Sequence, residues 1–198
     1  MPKKLRRDPI YIAPQISGRL DNNDVPHVFD ERNLRELNPT NIDDKIVIYQ
    51  RQVNDWFLIP ATNLSEYKNK NKGFIVLMIC LSYLEGIEQY RRGQRSNRNS
   101  GDFFVSAVNR IYPNKYQNTD LNHFYKEARC GLFHNGMVGG RVIINNQFSE
   151  SLEFQSGDIK INTKEFLKDI KNDFQNYLND LQVDQQLRQK FDRFYSNI

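Results

Sequence analysis

Only two cysteines, Cys80 and Cys130, occur in 198 residues. That excludes a disulfide framework, which needs several cysteines in a short secreted chain. Ten glycines and seven prolines are too few for a collagen-like or low-complexity chain. The longest apolar run spans residues 74–81, well short of the ~20 residues a membrane span takes. No apolar segment follows the charged start at residues 1–8, so no secretory signal is read there. The expectation is a soluble, cytoplasmic protein without membrane association.

The familiar site signatures are missing too. No Gly-x-x-x-x-Gly-Lys-Ser/Thr, Gly-x-Ser-x-Gly or His-Glu-x-x-His occurs. Gly136-Met-Val-Gly-Gly140 is not the dinucleotide fingerprint and precedes candidate strands rather than a helix. No cofactor is expected. His123, Cys130 and His134 share one stripe of a candidate helix, but the two histidines are about 16 Å apart along its axis. Cys130 and His134 alone are two ligands where zinc needs three or four. No metal site is expected.

Aromatic residues are plentiful: thirteen Phe, ten Tyr and one Trp, enough for a real core. A wholly disordered chain is therefore excluded. Mean hydropathy is −0.73, and 23 Asn and 13 Gln supply much of that polarity. Lys and Arg number 28 against 24 Asp and Glu, a net charge of +4, with a pI near 9.0. Such a balance permits a polyanionic partner without requiring one.

Residues 1–40 hold Pro2, Pro9, Pro14 and Pro26, and Pro39 closes the segment. They read as an extended arm with one or two short elements at most. From residue 41 onward the pattern is helical. Ile42, Ile46, Tyr49, Val53 and Trp56 form an amphipathic stripe, with Asn41 as its N-cap and Pro60 as its stop. Further helices are predicted over residues 72–92, 102–111, 119–135, 163–181 and 185–194. Short β-branched runs near 141–145, 152–155 and 159–162 predict one small hairpin within about 138–162. The expected fold is mainly α: a bundle of four to five long helices over residues 41–198 with a small inserted β-hairpin.

The end of the helix over 119–135 carries the most chemistry: Ala128-Arg-Cys-Gly-Leu-Phe-His-Asn-Gly136. Imidazole titrates near neutrality, and a guanidinium fork matches phosphate oxygens. Cations are also favoured at a helix C-terminus by the dipole alone, and Asn-Gly is an ordinary helix stop. On an ideal helix five residues separate Arg129 and His134 by about 140° and 7.5 Å. Upstream, Arg91-Arg-Gly-Gln-Arg-Ser-Asn-Arg98 puts Arg91, Arg92, Arg95 and Arg98 in one stretch without an acid. These four, and Lys3, Lys4, Arg6 and Arg7 at the start, are candidate contacts to RNA phosphates.

Arg129-x-x-x-x-His134 near the end of a helix resembles the Arg-x(4–6)-His motif of the HEPN superfamily. The preceding helix, with Tyr83-Leu-Glu-Gly-Ile-Glu88, is similar to a glutamate-bearing helix of that family. The resemblance covers roughly residues 42–182. It implies a metal-independent endoribonuclease, of the kind used in toxin–antitoxin systems or phage defence. It also implies a homodimer in which two motif helices build one cleft, and a protein antitoxin or regulator as partner. His134 would act as general acid or base, and Arg129 would hold the scissile phosphate. Cys130 stands where many active members carry Asn, Asp or His. That departure leaves open a non-catalytic HEPN-like domain that binds RNA, a nucleotide or a protein.

Overall fold

The computed structural model describes residues 5–67 and 72–196; Lys3 and Lys4 lie outside them. The fold is a mixed α/β one, not the expected mainly-α bundle. Two sheets overturn that expectation.

The first sheet occupies the segment read as an arm. Strands β1 (Ile10–Ala13), β2 (Ile16–Leu20), β3 (Pro26–Asp30) and β4 (Arg35–Leu37) form an antiparallel meander in chain order. The prolines taken as breakers sit where a strand needs no ladder donor: Pro26 is the first residue of β3, and Pro14 lies in the β1–β2 turn. The next turn is held by the Asp21 carboxylate, which accepts from the backbone N–H of Asn23 and Val25 at 2.8 and 2.9 Å. One face of the sheet buries Ile12, Ile16, Val28 and Leu37 in the main core.

Helix α1 (Ile42–Val53) carries this sheet. Asn41 caps it as expected, its side chain accepting from the N–H groups of Asp43 and Asp44. The Gln52 amide donates to the Ile12 carbonyl at 2.7 Å. Arg51 donates to both oxygens of the fully buried Asp30, at 3.3 and 3.1 Å. Pro60 does not end the helix. A π-helical turn over Asn54–Leu58 precedes it, so Pro60 falls in the first turn of α2 (Ile59–Glu66), where a missing N–H costs nothing.

Helix α3 (Gly73–Arg92) is the central element, with α4 (Ser100–Ile111), α7 (Thr163–Val183) and α8 (Gln185–Ser196) packed around it. By length and composition α3 could cross a membrane. Here Val76, Leu77, Cys80, Leu81, Leu84 and Ile87 are sunk in the core. Glycine at position 93, with φ 68°, closes the helix in the left-handed conformation.

The expected hairpin is part of a three-stranded sheet. Strands β6 (Leu152–Gln155) and β7 (Asp158–Ile161) pair antiparallel around Ser156-Gly157, both at positive φ. Strand β5 (Val142–Ile144) adds to β7 in parallel. This sheet follows the motif helix and leads into α7, whose N-cap is Asn162.

Candidate functional site

The motif helix is continuous but not uniform. Helix α5 (Asn118–Phe124) passes through a π-helical turn over Tyr125–Cys130 into α6 (Gly131–Asn135). The Gly131 N–H reaches back five residues to the Lys126 carbonyl. A π-turn adds one residue per turn and rotates the helix beyond it, a distortion frequent at functional sites. Past that turn the long Arg129 side chain reaches along the helix to the next turn: Arg129 Nη1 and His134 Nε2 stand 3.5 Å from each other.

Chain folded back over α6 finishes the site. Gly136, with φ 71°, ends the helix, and the Gly139 N–H donates to the Glu127 carbonyl at 2.8 Å. A side chain at Gly131 would meet the Met137 carbonyl at 2.7 Å, so only glycine permits this return. Between the returning chain and the helix lies a groove of about 380 Å³, lined by Lys126, Glu127, Cys130, His134 and Met137 among others. That volume is within the range of small-ligand sites. His134 is exposed, with Arg129 on one side and the groove on the other.

Arg129 is held firmly. Its Nη2 donates to Glu85 Oε2 at 2.7 Å, and both side chains are largely buried. Its guanidinium carbon lies 5.1 Å from the Phe133 ring and 5.7 Å from the Tyr125 ring, within cation–π range. The other oxygen of Glu85 accepts from Ser96 Oγ at 2.6 Å. Tyr125 shares a 2.6 Å hydrogen bond with Ser100. Burial, with Cys130 adding to it, pushes the Tyr125 phenol above its ordinary value. Glu85, Ser96, Ser100 and Tyr125 thus form a polar bracket around Arg129. Spacing could not reveal it, since Glu85 is 44 residues from Arg129.

The four arginines of the basic stretch divide into two pairs. Arg91 binds Asp180 at 3.2 Å and covers the Tyr177 ring. Arg92 binds Glu88 at 2.7 Å and Ser106 Oγ at 2.6 Å, and covers Phe103. Both are engaged in packing α3 against its neighbours. Arg95 and Arg98 are exposed on either side of Ser96. Through Ser96 and Glu85 their loop is joined to Arg129.

No family model, curated protein or solved structure matches the chain. The chemistry of the site is therefore read from its own residues. His123 stands apart, near the Gly157 carbonyl at 3.2 Å. Among the described residues, no three His, Cys, Asp or Glu side chains are grouped so as to hold one ion. The site brings together one guanidinium, one exposed imidazole, a small groove and a loop bearing two exposed arginines.

Proposed function

We propose that the chain is a HEPN-like endoribonuclease that cuts RNA without a metal, using Arg129 and His134. The observation that carries this reading is the 3.5 Å approach of Arg129 and His134 beside an open groove. The guanidinium is held beside His134 by Glu85 at 2.7 Å and by the Phe133 and Tyr125 rings. In the proposed reaction Arg129 donates to a non-bridging phosphate oxygen. His134 takes the proton of the ribose 2′-OH, whose oxygen attacks phosphorus. The bond to the 5′-oxygen breaks, and that oxygen is protonated by His134 of a second copy in a shared dimeric cleft. The products are a 2′,3′-cyclic phosphate and a 5′-hydroxyl. Arg95 and Arg98 hold flanking phosphates.

Such an enzyme acts in the cytoplasm as a toxin or a phage-defence effector, restrained by a protein antitoxin or regulator. The test is cleavage of single-stranded RNA in EDTA, with DNA of the same sequence left intact and the product ends identified. A second reading, an RNA-, nucleotide- or protein-binding domain without catalysis, is favoured by one feature. The charge of Arg129 is already answered by Glu85 at 2.7 Å. Under that reading RNA is bound and never cut.

A further inference from the structure

Helix α3 has two faces of unexpected character. Val76, Leu77, Cys80, Leu81, Leu84 and Ile87 are buried, as a core helix requires. On the other side Ile75, Met78, Ile79, Ser82 and Gly86 lie within about 60° of one line along the helix. That face should be polar if it met only water. Instead Ile75 is 52% and Met78 39% exposed, and no charged residue occurs between 73 and 84. Trp56 and Phe57, from the π-turn after α1, border the same face at 38% and 47% exposed, and Phe74 adds 41%. Together with Ile79, Ser82 and Gly86, Trp56 and Phe57 line an apolar groove of about 320 Å³. Apart from its chain neighbours and the backbone of its own helix, no atom of the described residues lies within 4 Å of where a Gly86 side chain would stand.

We infer that this face of α3 is the surface on which two copies of the chain pair, antiparallel, about a two-fold axis between Ile79 and Ser82. The pattern is complementary to its own reverse. In that register Ile75 of each copy stands opposite Gly86 of the other, and Ile79 stands opposite Ser82. Both isoleucines of the face meet a small residue, twice over, which is how facing layers interdigitate. The isologous contact that a two-fold dimer demands is met by one helix alone.

Area agrees with this occupant. Five large side chains exposed by roughly 40–50% leave on the order of 400–500 Å² of apolar surface, given about 200 Å² for each. A patch of that size falls within the ~300–600 Å² of the largest patches on monomers, which are often functional, and is about half of the ~800 Å² that each partner gives to a standard interface.

The pairing also reaches the site. Glu85 borders the same face, about 7 Å along α3 from the axis, and holds Arg129. Both Arg129–His134 pairs then open on one side of the dimer. The shared cleft rests on the ribonuclease reading; the pairing of α3 does not.

Light scattering at tens of micromolar should report twice the 23.5 kDa of one chain. Ser82→Ile sets isoleucine against isoleucine and should give a monomer. Adding Ile79→Ser to it restores a large–small pair and should restore the dimer. Gly86→Arg should also give a monomer, and the circular dichroism spectrum of every variant should match wild type, since none touches the buried face. The monomeric variants should melt lower only by the part that association contributes, at a temperature independent of protein concentration. A wild-type monomer overturns the inference, as does a dimer indifferent to Ser82→Ile and Gly86→Arg. A monomer that floats with phosphatidylglycerol vesicles overturns it too, assigning the face to a lipid surface. RNA cleavage separates the two proposals. A dimer of this kind that never cuts RNA defeats the nuclease reading alone. Full cleavage by monomeric Gly86→Arg defeats the shared cleft and leaves the nuclease.

Discussion

Arg129 and Glu85 meet at 2.7 Å and join the motif helix to α3. The contact sets the guanidinium beside His134 rather than letting it swing into solvent. Glu85→Gln keeps the shape and removes the charge. A hydrogen bond to a charged group contributes about 1.5–3 kcal/mol. RNA cleavage by Glu85→Gln should therefore fall on the order of 10–100-fold, measured below the melting temperature, which the same lost contact lowers. Unchanged turnover would show that Glu85 does not position Arg129.

Arg95 and Arg98 flank Ser96, whose hydroxyl donates to the other oxygen of Glu85 at 2.6 Å. If their loop tracks phosphates, Arg95→Ala and Arg98→Ala should each weaken RNA binding and reduce its salt dependence by about one charge. Arg91→Ala should act on stability instead, because Arg91 is occupied by Asp180 and Tyr177. Fluorescence anisotropy across a salt series distinguishes the two effects.

The first sheet hangs on Asp30. Burial alone would raise its carboxyl, but the Asn33 amide, Arg51 and the backbone N–H groups of Arg32 and Asn33 outweigh burial and hold it below the ordinary range. A carboxylate whose folded value lies below its unfolded value of about 3.9 stabilises fully above about pH 5. That contribution is lost as pH falls through the folded value. Asp30→Asn should cost about 1.5–3 kcal/mol near neutrality, because the hydrogen bonds from Arg51 lose their anion while Arg51 keeps Asp55 at 3.9 Å. The variant should also lose part of the wild-type acid sensitivity below about pH 4. Denaturant melts at pH 7 and pH 3.5 measure both.

The two cysteines report on the core. Cys80 is fully buried, and burial pushes its thiol up. Thiolate is the reactive form. Cys130 is half-buried and lines the groove beside His134. Ellman's reagent should titrate one thiol in the native protein and two after unfolding. A native count of two would contradict the placement of α3.

Much of the helical layer is legible in the sequence. The stripe after Asn41, the apolar run of α3 and the spacing of Phe166, Ile170, Phe174 and Tyr177 all mark helices that form. The Ser156-Gly157 turn marks the β6–β7 hairpin. The first sheet is not legible, because its strands are three to five residues long. Its turns contain no glycine and are held by the side chains of Asp21 and Asp30 instead. Pairing of β5 with β7 is parallel and non-local, so no hairpin signal announces it. The π-turns escape a search for a 3.6-residue period. As for the site, Arg129 and His134 stand out by spacing, whereas their approach and the Glu85 bracket are products of the fold.

The most direct measurement is the single-turnover rate of single-stranded RNA cleavage in EDTA by wild type and His134→Ala, at enzyme concentrations where both bind. Loss of a general acid–base costs about 10²–10⁴-fold. The account predicts cleavage by the wild type that leaves a 2′,3′-cyclic phosphate, and a fall of that size in the variant. Cleavage that persists in His134→Ala, or that appears only when a divalent ion is added, would contradict it.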